Sequence, residues 1–325
     1  MQKNTLKHSP NTISWIGDEI IDWSSPSETY SLSGVKQQVY NYHLAFPFDS
    51  CIQSENSEYI FVYQKLGTKG LLMKNGETLR EINRSYYQAH VYEYPAIFLT
   101  HKGKTYLVHC PIQYCQLDFE EVETGNIVTN IKGRDPGDIF HSRLEISPDG
   151  KYLMSKGWVW HPLDIIQIYE IENCLENPAL LDKLDIEKPN AGVEVCTASF
   201  IDDNKVLLGS TAEVFDSEKQ ATLLPNSFCL WNIQTNIFST PITPVFEFGN
   251  LFAIDTNLAW DIYKFPKIIN LNTGEIEDKA EDVYSGEQRS SILHTSDKQP
   301  LYAFDKTRKS LAILQNDQII VLTRQ

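Results

Sequence analysis

Apolar residues along this chain come in short runs of five to seven, alternating with polar ones or standing solidly together, and turn-forming clusters cut each run. The stretch "LEISPDGKYLMSKG" at 144–157 is the clearest case: an alternating run, Ser-Pro-Asp-Gly, then a second apolar run at once. Turn residues followed by a β-branched or aromatic run predict two antiparallel strands joined tightly. The runs are too short for helices, which need apolar residues at i, i+3 and i+4 over ten or more positions.

The same grammar recurs. "SENSEYIFVY", "THKGKTYLVHC", "IDDNKVLLGS", "AIDTNLAWDIY" and "FDKTRKSLAIL" repeat it, and "HSPNTISWIG" gives a fainter copy at the start. With Asn11, Ser57, Gly103, Gly150, Asn204, Thr256 and Arg308 as markers, the steps are 46, 46, 47, 54, 52 and 52 residues. A near-constant step of this size is the period of a four-stranded propeller blade. A second set of turns, at Gly76, Gly125, Asn173, Asn236 and Gly274, predicts a third strand in several units, with room for a fourth. The expectation is an all-β chain, a seven-bladed β-propeller of four-stranded antiparallel blades, with six blades if the first copy is only an added hairpin. The last unit holds three strands. Residues 1–8 are expected to complete its blade, closing 1–325 as one domain without open edges.

Two stretches carry a family resemblance. In "SFCLWNIQTNIF" the pair Trp231-Asn232 precedes an apolar residue and a turn, and Ser147-Pro148-Asp149-Gly150 forms the turn between two strands. In both respects the chain resembles the WD40-like seven-bladed β-propeller group, and the second motif is also similar to TolB-type propellers. It departs from the group in having no Gly-His dipeptide, which puts the group's structural His–Ser/Thr–Asp–Trp network in doubt. Trp260-Asp261 also stands too early in its unit for the usual Trp-Asp position.

Charge changes the picture of partners. With 28 basic and 43 acidic residues the net charge is −15. Such a surface repels phosphate backbones and would draw in a basic partner, although net charge also serves solubility alone. No apolar run is long enough to span a bilayer, and the first seventeen residues contain no apolar leader core. A cytoplasmic monomer, binding neither nucleic acid nor membrane, is expected. The cysteines Cys51, Cys110, Cys115, Cys174, Cys196 and Cys229 have no CxxC spacing and read as small core residues.

In a propeller, the loops joining first to second and third to fourth strands share one face, and here they are tight. The opposite face receives the second-to-third loops and the blade connections, to which the long insertions 83–94, 132–141, 213–225 and 275–289 are assigned. Binding residues concentrate in loops longer than connection requires. This face should carry Tyr86, Tyr87, Tyr92 and Tyr94, then Trp158 and Trp160, then His141, Arg143 and Glu194 at the starts of innermost strands. These nine are the candidate partner-binding residues, although aromatics can equally cap the disc, and Arg143 can equally pair with Glu194 or Glu145 to lock blades together. Carboxylates cluster at Glu213, Asp216 and Glu218 and at Glu275, Glu277, Asp278, Glu281 and Asp282.

Enzyme signatures are scarce. GxSxG, HExxH, Walker and GxGxxG motifs are missing, and His109, Cys110 and Cys115 match no common zinc spacing. No catalytic residue, metal ligand or cofactor is assigned. The leading expectation is a non-catalytic protein-interaction module, in a narrower version an immunity or inhibitor protein that neutralises a basic partner. The alternative is a metal-assisted hydrolase like the sugar-lactone hydrolases, which use propellers of this size, with its site at the channel mouth.

Overall fold

The computed structural model describes every residue except 25–26, 186–188, 191, 219–222, 294–298 and 325. Its strands form seven consecutive antiparallel sheets, the blades of a seven-bladed β-propeller. Blade 1 covers 14–38, blade 2 covers 50–83, and blade 3 covers 96–121 with a bridge from Glu120 to Ile127. Blades 4, 5 and 6 cover 139–170, 193–238 and 251–279. Blade 7 takes three strands from 302–323, and its outermost strand is Gln2–Leu6, paired antiparallel with Gln318–Thr323 from Gln2 opposite Thr323 to Leu6 opposite Ile319.

The solid apolar runs are the second strands, and their geometry explains their composition. Side chains of a strand point alternately to opposite faces, and in a propeller both faces of a blade are covered. Ile60 and Val62 therefore pack with Ile21 and Trp23 of blade 1, while Phe61 packs with Leu107 and Val122 of blade 3. Likewise Leu311 and Ile313 face Trp260 of blade 6, and Ala312 faces Ile20 of blade 1. The core is thus seven apolar layers, one between each pair of neighbouring blades, rather than a single centre. Each large side chain buried in a layer contributes about 1.5–3 kcal/mol.

The tight first-to-second turns are built by short polar side chains. Ser54 accepts the N–H of Tyr59 while Asn56 accepts that of Glu58. Ser147 and Asp149 do the same for Tyr152 and Lys151. In blades 5, 6 and 7 a single aspartate, Asp202, Asp255 or Asp305, caps two N–H groups of its turn. Such local bonds are why Ser, Asn and Asp favour turns.

Three sequence expectations need correction. Asn11 is not a turn marker: the first two strands of blade 1 are Ser14–Ile16 and Glu19–Asp22, and they reverse at Gly17, whose φ is +55°. Asn11 and Thr12 instead donate their N–H groups to the Asp22 carboxylate. Asn173 lies in a short helix, Ile171–Glu176, that follows the last strand of blade 4. The four strands of that blade are Ile139–Phe140, Glu145–Ile146, Tyr152–Val159 and Leu163–Glu170, the first two both pairing with Tyr152–Val159. Ile171 and Cys174, one helical turn apart, bury themselves against blade 3. Finally, 275–289 is not all loop, because Ile276–Lys279 is the fourth strand of blade 6. Of its carboxylates, Glu277 accepts from Asn270 of the same blade, and Asp278 holds the amino group of Met1 next to the strand that completes blade 7.

Candidate protein-binding face

The connection from blade 2 to blade 3 is organised by a residue that sequence reasoning passed over. Arg84 is buried and donates to the carbonyls of Gly67, Ala89, Tyr92 and Glu93, folding the loop around its guanidinium. The rings of Tyr92 and Tyr94 flank it, with centroids 4.4 and 4.9 Å from the guanidinium carbon. Both tyrosines are fully covered, so they act beneath the face rather than on it. Tyr86 and Tyr87, in the same loop, are 85% and 39% exposed.

Those two lead to an aromatic ledge over blade 4. Phe140 lies flat on Trp158, with centroids 3.9 Å apart and planes 3° from parallel, and both are buried. Around this stack stand Tyr87, Tyr92, Tyr114 and Trp160, each with its ring centroid within 6 Å of that of Phe140. Tyr114 is fixed by a 2.6 Å bond to Asp138. Trp160 is 42% exposed at the tip of a hairpin that also holds His161 at φ +84°, a conformation unfavourable for a side chain with a Cβ. The strand Tyr152–Val159 passes this close because of Gly157, where a Cβ would meet the carbonyl oxygen of Phe140 at 2.2 Å.

The three ionisable candidates lie deeper. Arg143 reaches across three blades, to the carbonyls of Lys156 (3.3 Å) and Cys196 (3.0 Å) and to Oδ1 of Asn250 (2.6 Å). It pairs with neither Glu194 nor Glu145. Glu145 is held by Lys156 and Lys306 instead, and although burial opposes its charge these lysines keep its carboxyl below the usual range. Glu194 accepts the N–H of Asp164 and the hydroxyl of Thr211. His141 is fully buried, with Nδ1 3.0 Å from the Ser155 hydroxyl, and burial lowers its pKa to about 4.

A strap over the channel mouth ties down Asn250, a partner of Arg143, and Asp164, a partner of Glu194. The connection from blade 6 to blade 7 crosses to the far side of the disc before it turns down. Gln288 bonds Asn250 and Glu93, and Ser291 donates its N–H and hydroxyl to Asp164. Ile292 bridges Tyr92, and Leu293 donates to the carbonyl of Val91. Beneath the strap, Glu93 pairs with Lys65 at 3.1 Å. Burial, with Glu194 nearby, raises the Asp164 pKa to about 6 against the pull of Arg143. Among the described residues no three His, Cys, Asp or Glu side chains converge as a metal-holding group, and no helix is long and apolar enough to cross a membrane.

No family model matches the chain, and no curated protein matches it. Solved structures do. A chain in the crystal structure of the mitotic checkpoint complex is 12% identical, with a TM-score of 0.61 over 99% of this chain and 91% of that one. The β-propeller domain of Cps50 (Swd1) from Myceliophteria thermophila is 10% identical, also with a TM-score of 0.61, over 99% of both chains. A streptogramin B lyase is 12% identical with a TM-score of 0.53, over 98% of this chain and 96% of that one. The fold is that of a WD40-like seven-bladed β-propeller.

This WD40-like propeller uses its Trp-Asp pair in an unusual place. Trp260-Asp261 closes a second strand, and Asp261 accepts the N–H groups of Gly249 and Tyr263. Asp22 does the same at the end of the second strand of blade 1, clamping Asn11, Thr12 and Ser24. These aspartates tie each blade to the connection that enters it. Sequence reasoning missed Phe140, Tyr114, Arg84 and Asp164. Phe140 could have been found, since it precedes His141 in the same entering segment. Nothing local marks Asp164, whose partners are 30 and 127 residues away.

Proposed function

We propose that this propeller is a non-catalytic protein-interaction module that binds a protein partner through the face bearing the long connections. The observation that carries the reading is the ledge of Tyr87 and Trp160, exposed above a buried stack of Phe140 and Trp158, with the exposed Tyr86 next to Tyr87 in the chain. Exposed rings held by packed neighbours lose little side-chain freedom on binding, and Trp and Tyr are enriched among the residues that dominate interface energies. One propeller of similar fold belongs, by its name, to a multi-protein complex, which supports this use of the fold. The net charge of −15 favours a basic partner, and the immunity or inhibitor version rests on that charge alone. Six free cysteines, five of them buried, fit the reducing cytoplasm, where the protein is read as a monomer. His141, Arg143, Glu194, Tyr92, Tyr94 and Trp158 are assigned to holding the face in shape from beneath.

The test is affinity purification from the native cell with wild-type bait and a Tyr87→Ala/Trp160→Ala double variant. We expect the variant to lose its protein partner at least tenfold, with its melting temperature close to wild type. Retained binding by the folded variant would overturn the ledge. The hydrolase alternative has its own measurement: a stoichiometric divalent ion in the purified protein would overturn the non-catalytic reading.

A further inference from the structure

On the same face, some distance along the rim from the ledge, a groove of about 690 Å³ runs between blades 5 and 6. One wall comes from the second strand of blade 5 at Glu213, the other from the connection that carries Val245, Phe246 and Glu247, and Arg289 of the strap closes one end. Two features of this groove are unspent. Val245 is fully exposed, and the half-buried Phe246 beside it lines the same wall. The second is charge. Glu247 is engaged by Arg289 at 2.9 Å and Lys264 at 3.4 Å, and Glu194 is engaged by Asp164 and Thr211. Glu213 is exposed and has no ion-pair partner among the described residues. The groove contributes three carboxylates against one guanidinium, which is already paired.

We propose that this groove takes an extended segment of a protein partner, with a lysine or arginine set against Glu213 and an apolar side chain against Val245 and Phe246. The inference rests on the interaction-module reading and assigns it a second contact, distinct from the ledge. A basic group is favoured because the free carboxylate lies among others of its sign. An apolar neighbour is favoured because Val245 leaves water only if something covers it.

The experiment pans immobilised wild-type protein against phage displaying random octapeptides. Selected peptides are then measured by fluorescence anisotropy against Glu213→Lys, Val245→Asp and Trp160→Ala. Peptides pairing a basic with an apolar residue are expected, with affinity weakened about tenfold by either groove variant and reduced by added salt. Trp160→Ala should leave the peptide affinity unchanged. Both groove side chains are exposed, so each variant should keep the wild-type melting temperature. An acidic consensus, no enrichment, or peptides indifferent to both groove variants would overturn the proposal. So would a concentration-dependent dimer that these variants abolish, since the groove would then hold a second copy. Loss of the native partner through Tyr87 and Trp160 alone would overturn the groove and leave the ledge standing. Dependence on the groove alone would do the reverse.

Discussion

At the scale of single residues, the buried Asp164 and His141 set opposing pH dependences. The Asp164 carboxyl is raised from 3.8 to about 6, so the folded state holds its proton more tightly than the unfolded chain does. The stability this contributes is complete below 3.8 and is lost as pH rises through about 6, up to about 3 kcal/mol. His141 is lowered from 6.5 to about 4, so its contribution is present above 6.5 and is lost as pH falls towards 4. The groups that face Asp164 are Glu194, Arg143, Ser290 and Ser291. Asp164→Asn keeps an oxygen for the Ser291 donors and removes the titration. Relative to wild type, its melting temperature should rise as pH goes from 4 to 7. A difference between the two proteins that stays flat across that range would show that Asp164 does not titrate in this window.

At the scale of elements, the strap and the connection beneath it meet at Gly249. A Cβ there would lie 2.3 Å from the carbonyl oxygen of Gln288, a backbone atom that cannot swing aside as a side chain would. Gly249→Ala must therefore move the strap or the loop that Asp261 clamps, at a cost typical of overpacking, about 1–3 kcal/mol. We expect a lower melting temperature and faster hydrogen exchange at the amides of Ser291 and Leu293, whose bonds hold the strap to blades 3 and 4. An unchanged exchange rate at those two amides would mean that the strap is anchored independently of this contact. Element type was readable where the code is local. The Ser-x-Asx and Asp turns announce themselves within five residues. The helix at Ile171–Glu176 was missed because "YEIEN" extends a strand in pattern, and its burial depends on blade 3 supplying an apolar wall.

At the scale of the whole molecule, seven apolar layers stabilise the disc only if every blade has two neighbours. The strand Gln2–Leu6 supplies the outer strand of blade 7, and Leu6 joins the layer shared with blade 1. Deleting residues 1–6 should leave Gln318–Thr323 as an unpaired edge, lower the melting temperature by several degrees and produce concentration-dependent oligomers in light scattering. A truncated chain that stays monomeric with the wild-type melting temperature would show that blades 7 and 1 hold together without it.

The sequence by itself determined the period, the all-β class and the tight turns, because each depends on residues within a few positions of one another: alternation, solid second strands, and Ser, Asn and Asp beside glycine. It also determined which face would carry the long connections and placed Tyr86, Tyr87 and Trp160 in or beside them. Only the tertiary structure decided which aromatics reach solvent. Tyr92 and Tyr94 differ from Tyr86 and Tyr87 through the guanidinium of Arg84, and their burial is settled by how the loop closes on it. The same holds at the channel mouth, where Arg143 and Glu194 lie under a strap that arrives from the far side of the disc. Contacts such as Ser291 to Asp164, 127 residues apart, exist because a closed ring brings distant connections together, and no local pattern of residues encodes them.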